Sequence, residues 1–414
     1  MKKIILSLFI SSSVLAQTAK QVIVLNEGYY NWSTQTQVVP VTLGAYDVAL
    51  KTYTSFDTIP AAQFASDVII DDNYIYAATS VGIYKYNKNS KQFVTNNTAT
   101  GIRKMCVWNN QLLVSRGDIG LNNYFFQAYD KNTLALIYEL DVTNGPAYST
   151  EGISVVGDSC YIALNNGFNF PNYTGYIGVI YLPTATYVRQ FDLGPIGLNP
   201  DYFAIKNGVI HTLNNRDFTN ASISTYELAT GQLATTDLQI SSGCGTSVLA
   251  GTEILYQVMG ATTLQKFSLS SQSTYDSLLI NKPVYGLAHE DVANLIYAGE
   301  TDFVSTGQVF IYNMAGLALD SFMVGVSPGN MVIDYNSTSG IAENVSQLNV
   351  YPNPATNQIY LGNQKPASYQ ILNVTGIKVA EGVALPQANI NISNLSNGIY
   401  FLKTQSGTYK FNKQ

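Results

Sequence analysis

The sequence predicts an all-β protein, a seven-bladed β-propeller followed by a small Ig-like β-sandwich. Three observations predict it: a composition suited to strands, a four-strand unit that recurs along most of the chain, and a change of character close to residue 347. Of 414 residues only 12% are charged, 46% are hydrophobic and 30 are Tyr, with Thr, Ser, Asn and Gly filling most of the rest. Aromatic and β-branched residues suit a half-buried pleated surface, and neutral turn residues carry the polarity that helical proteins place on Lys and Glu. A net charge of −6 with no basic run argues against nucleic acid or an anionic membrane as partner.

The repeat is clearest in Asp67–Asn73 followed by Tyr74–Ala78, Gly82–Asn87 and Lys91–Val94. First and second strands recur at Lys104–Trp108 with Leu112–Val114, Gly152–Val156 with Tyr161–Leu164, and Asp201–Ile205 with Val209–Leu213. Two further copies are Thr246–Leu249 with Ile254–Val258 and Gly286–His289 with Leu295–Ala298. The openings lie about 44 residues apart, within the range of four-stranded blades. A seventh opening strand, Asn330–Asp334, lacks a successor, and Val22–Leu25 is an orphan second strand. Joining the two completes a blade from both ends of the chain, which closes the ring and leaves no open sheet edge.

The ends point to export. Met1-Lys2-Lys3, an apolar run from Ile4 to Leu15 and then Ala16 fit a signal peptide cut after Ala16; the run is too short to span a bilayer. No Cys follows the cut, so a lipid anchor is not expected, and no transmembrane segment is expected in the mature chain. The organisation read from the sequence is signal peptide 1–16, propeller 17–335, linker 336–346 and tail domain 347–414. The tail holds short alternating strands split by Pro, Asn and Gly turns: Asn349–Ala355, Ile359–Leu361, Tyr369–Gly376, Ile390–Leu395 and Gly398–Lys403.

With its Tyr351-Pro352-Asn353-Pro354 start, central Gly376 and Leu395-x-x-Gly398-x-Tyr400 segment, the tail resembles the type A C-terminal sorting domain of the type IX secretion system. The acidic residue usual before the central turn is Asn373 here. That resemblance implies the type IX machinery and its sortase as partners, removal of the tail, and a product released or attached to surface lipopolysaccharide. The propeller, through Asn26-Glu27-Gly28 and the segment from Ala298 to Gly329, resembles the YncE-type surface propellers of the DUF5074 domain family. Members are often secreted or surface-bound and some capture cobalamin for uptake, so an outer-membrane transporter is a partner this second resemblance allows.

Chemistry-bearing motifs are sparse. His211 and His289 sit two repeats apart with no nucleophile motif beside them, and no phosphate loop or calcium loop is complete. Cys106, Cys160 and Cys244 are odd in number and read as buried thiols, with a Cys106–Cys160 bridge as the alternative; no metal-ligand spacing is present. Nothing names a cofactor. Propeller geometry is more informative, because first-strand entries and the loops after second strands share one face around the channel. The entries carry Asp67, Arg103, Lys104, Glu151, Asp201, Tyr285 and Asn330. The loops carry Asn26, Glu27, Tyr29, Trp32, Arg116, Asn165, Phe168, Asn214, Arg216, Glu300 and Asp302. Polar groups mixed with rigid aromatics suit a recognition site for a small molecule, glycan or protein. Two other readings stay open: a propeller enzyme, such as a lyase or a quinoprotein-like oxidoreductase, and a structural adhesin.

Overall fold

The computed structural model describes residues 18–117, 123–166, 171–218, 220–238, 240, 246–258, 260–336, 350–361, 367–374, 376–385, 389–404 and 407–414. The proposed signal peptide, residues 337–346 of the linker 336–346, Phe168 and Cys244 lie outside the described residues. The chain divides into two compact units, one of them Gln17–Asn336 and the other holding Ser337–Gln414.

The larger unit carries seven four-stranded antiparallel sheets among its described residues. Counted from the sheet that holds the N-terminal strand, their first strands are Pro328–Tyr335, Ala65–Ile70, Ile102–Trp108, Ser149–Val156, Pro200–Lys206, Ser247–Ala250 and Gly286–Glu290. The sheet counted first takes strands from both ends of the chain: Pro328–Tyr335 pairs antiparallel with Ala19–Asn26, and Val41–Asp47 and Thr52–Ile59 complete it. Val38 and Tyr46 fall in one apolar run, yet Pro40 lacks the donor a ladder needs and divides it. Thr36–Val39 therefore pairs with Tyr29–Asn31 as a separate hairpin, within what the sequence reads as the loop carrying Tyr29 and Trp32.

Second strands are buried from end to end, as in Val22–Leu25, Ile75–Ala78 and Ile296–Ala298. Continuous apolar runs of this kind belong to strands covered on both faces. The covers are the neighbouring sheets. One core cluster joins Leu25 and Leu43 of the first sheet to Ile75 and Tyr86 of the second. The series continues sheet to sheet until Val22 and Tyr46 meet Tyr297 and Phe322 of the seventh. First strands likewise touch in sequence order, and Pro328–Tyr335 touches both Gly286–Glu290 and Ala65–Ile70. The sheets thus form a closed circuit. Cys106 and Cys160 are free thiols in the cluster between the third and fourth sheets.

In the tail unit, Val350–Tyr351, Gln358–Leu361 and Asn389–Asn391 form one sheet, and Lys378–Ala384, Ala367–Asn373, Gly398–Thr404 and Gly407–Lys413 form another. Ile359, Leu361, Ile371, Leu402 and Phe411 share its core. Asn373 accepts a hydrogen bond from Ile377 N at 2.9 Å, closing the central turn. No α-helix occurs among the described residues, and no helix is long and apolar enough to cross a membrane.

Candidate functional site

A cavity of about 500 Å³ opens where the first strands converge. Its wall includes Glu27, Asp67, Arg103, Lys104, Glu151, Asp201, Tyr285 and Asn330. The backbone explains how charged groups reach it. In five first strands the pairing register shifts by one residue near the cavity: at Ser66, at Arg103–Lys104, at Glu151–Gly152, at Asp201 and at Gly329. A β-bulge breaks strict in–out alternation and re-aims side chains. Arg103 and Lys104, adjacent in sequence, both line the cavity for this reason. Ser247–Ala250 and Gly286–Glu290 carry no such shift, and the wall there is Ser247, Val248 and Leu287.

The wall is electrically organised. Arg103 Nε donates to Glu151 Oε1 at 2.5 Å, and this pairing with buried Glu151 holds the guanidinium further toward its charged form. Burial pushes the Glu151 carboxyl up despite Arg103. Asp67 Oδ2 accepts from Met105 N at 2.8 Å, and burial raises its pKa against the pull of Lys104. Lys104 Nζ donates to Ser66 O at 3.0 Å and Asn330 Oδ1 at 3.2 Å, with Asp67 Oδ1 at 3.5 Å. Tyr285 OH donates to Glu27 Oε1 at 2.9 Å. Burial raises Glu27 from 4.5 to about 7, only partly offset by Tyr285, Lys104 and Arg103. Gly329 permits that contact, since a Cβ there would stand 2.5 Å from Glu27 Oε1 and 2.6 Å from Tyr285 Cε1.

Eight of the residues named from the sequence therefore share one cavity: Glu27, Asp67, Arg103, Lys104, Glu151, Asp201, Tyr285 and Asn330. Most of the loop residues are engaged elsewhere. Asn26 is buried and donates to Thr42 Oγ1 and Tyr53 OH. Arg116 ties down Thr100 O and Tyr124 O, each at 2.8 Å. Asn165 Nδ2 donates to Pro200 O, and Asn214 is buried among Thr212, Ser222 and Ser224. Arg216 pairs with Asp237 at 3.0 Å and Glu300 with Lys282 at 2.9 Å. Asp302 caps its own loop through Val304 N and Ser305 N. Tyr29 stands in the hairpin that follows Glu27, and Trp32 at its turn is 66% exposed with its edge against Tyr30.

Neither histidine lines this cavity. His211 lines a separate cavity with Lys206 and Glu227, where burial first and Lys206 second lower its pKa to about 4. His289 contacts Asn294 and Asp291. Sequence reasoning placed Lys104 at an entry but had no signal for Tyr202 and Phe203, ordinary strand aromatics, or for Phe64 just before Ala65–Ile70, all of which line the cavity.

With the geometry in hand, known proteins give two results. Residues 349–414 match the family model described as a secretion system C-terminal sorting domain. The protein is exported through type IX secretion, to the cell surface or beyond it. A comparison with curated proteins finds no match. Among solved structures, a candidate 6-phosphogluconolactonase from Bacteroides fragilis has a TM-score of 0.53 at 11% identity, covering 76% of this chain and 98% of its own. The extracellular domain of a candidate one-component system from B. thetaiotaomicron has a TM-score of 0.50 at 12% identity, covering 95% of this chain. This chain spans 57% of that protein. BamB from Moraxella catarrhalis has a TM-score of 0.47 at 11% identity, covering 79% of this chain and 99% of its own. Neighbours of this kind are β-propellers, and the likeness establishes a propeller-like fold.

Proposed function

We propose that the mature protein is a seven-bladed propeller that binds a small polar molecule in its central cavity, at the cell surface or in the medium. The observation that carries this reading is the cavity itself: charged and aromatic groups of four bulged first strands, with Glu27 and Tyr285, gather around one space of about 500 Å³. Ligand pockets commonly fall in the range of roughly 300–1,000 Å³ and combine a few placed polar groups with aromatic walls. In this reading a signal peptide over 1–16 is cut after Ala16, the propeller occupies 17–335, residues 336–346 are the linker, and an Ig-like tail over 347–414 is removed by the sortase. The marks quoted from Asn26–Gly28 and Ala298–Gly329 support kinship with the YncE-type, DUF5074 surface propellers. An outer-membrane transporter or surface lipopolysaccharide is then the fitting cellular partner.

A thermal-shift screen of residues 17–414 against chemically diverse polar metabolites tests the binding reading. At least one compound is expected to raise the melting temperature of the parent and not of Ser247→Trp, which fills the cavity wall. Hits that survive in Ser247→Trp would place binding elsewhere and sink the reading.

A further inference from the structure

The wall of the cavity is not neutral, and the pairing within it shows where the surplus lies. Arg103 is matched by Glu151, and Lys104 is held by Ser66 O, Asn330 and Asp67. Two carboxyl groups form no direct ion pair among the described residues, although Arg103 acts on both and Lys104 on Glu27, so four carboxyls face two cations. Glu27 receives Tyr285 OH. Asp201, set by its strand bulge in the wall, has no hydrogen bond or ion pair among the described residues. A concave site walled by one surplus sign of charge concentrates ligands of the opposite sign.

An aromatic ring stands beside that surplus. Phe303 lies edge-on to Tyr285, with centroids 5.0 Å apart, and is 52% exposed. Its backbone has φ of +66°, a conformation a bulky side chain seldom adopts. The loop enforces it: Phe303 N donates to Thr301 Oγ1 at 2.8 Å, and Asp302 Oδ1 accepts from Val304 N and Ser305 N. Phe303 is thus one tyrosine removed from Glu27, through Tyr285, and an exposed ring near a carboxyl suits ammonium and guanidinium groups, through the negative face of the ring and the opposite charge.

Resting on the reading of the cavity as a binding site, we propose that its ligand is an organic cation, an amine or guanidine whose charge is received by Asp201 and Glu27 and whose carbon skeleton meets Phe303.

Calorimetry on residues 17–414 at pH 7.5 with agmatine, which carries both groups, is the direct test; putrescine and choline serve as companions. Binding of agmatine is expected, weakened about tenfold by Asp201→Asn and about threefold by Phe303→Ala, and weakened several-fold between about 50 and 300 mM NaCl. The Asn side chain keeps the shape of Asp201, so this arm stands even where Ser247→Trp fails to fold. No binding by any of the three cations overturns the proposal, as does agmatine binding that Asp201→Asn leaves unchanged. Neutral saccharides run in parallel separate the two levels. A saccharide bound by the parent and lost in Ser247→Trp, with no cation bound, removes the cation and keeps the cavity as a site. Cations and saccharides alike failing to bind counts against both.

Discussion

At the scale of single residues, Glu27 is a cavity group whose chemistry is altered by burial. The folded carboxyl keeps its proton up to about pH 7, whereas the unfolded one loses it near 4.5. Between those values the folded state binds the extra proton, so this group's contribution to stability falls as pH rises through the window. Glu27→Gln retains an acceptor for Tyr285 OH without the charge. It is expected to be more stable than the parent by about 1–3 kcal/mol above pH 7, with the gain vanishing near pH 4.5. His211 works in the opposite sense: burial lowers it from 6.5 to about 4, so its contribution is lost as pH falls from about 6.5. Both proteins contain His211, so denaturant melts of variant and parent across pH isolate the Glu27 slope; a difference that does not change with pH would refute it. Glu27 was visible in the sequence as a polar residue after an apolar strand. Its link to Tyr285, 258 positions away, was not, because that contact exists only once both ends of the chain share a sheet.

At the scale of elements, the strands were legible and the bulges were not. Short apolar runs such as Val22–Leu25 and Ile75–Ala78, rich in β-branched or aromatic residues and bounded by turn residues, announce buried strands. A one-residue register shift leaves no periodic trace. It shows afterwards as consecutive polar or small residues at a strand entry, as in Ser66-Asp67, Arg103-Lys104 and Glu151-Gly152. The loop residues misled for a related reason: Asn165, Asn214 and Arg116 are polar because loop carbonyls and hydroxyls need donors, a demand the sequence does not separate from ligand binding. Among all elements, Pro328–Tyr335 does most to hold the circuit. Its Met331 and Ile333 pack against the cluster shared by the first and seventh sheets, and Val332 against the one shared by the first and second. Residues 17–327 are therefore expected to lose more than about 5 kcal/mol and cooperative melting, since the loss bares the edge of Ala19–Asn26 and opens two cores. A sharp melt near that of the parent, read by circular dichroism, would show that the strand is dispensable.

At the scale of the molecule, the two units divide the work. The tail match assigns the route, and the tail has its own core of Ile359, Ile371, Leu402 and Phe411. Deleting residues from 347 onward is expected to leave the propeller folded and protease-resistant but retained in the periplasm. Fractionation and immunoblotting of the secreting cell would decide it; normal appearance of the truncated protein outside the cell would contradict the export route. The destination was readable because a sorting signal is a short linear pattern, whereas the occupant of the cavity depends on seven sheets brought together.

The seam in the first sheet has a mechanical consequence. Ala19 faces Tyr335 and Asn336 bonds back to Thr18, so both chain exits leave the strand pair at the same end. A pull on the tail is delivered straight to Asn336 and then to one rung at a time, the geometry in which a pair unzips at low force. Behind those first rungs stands buried Asp334, gripped by Gln21 Nε2 and Lys88 Nζ, each at 2.8 Å. That clasp holds the seam of the first sheet against opening from this end.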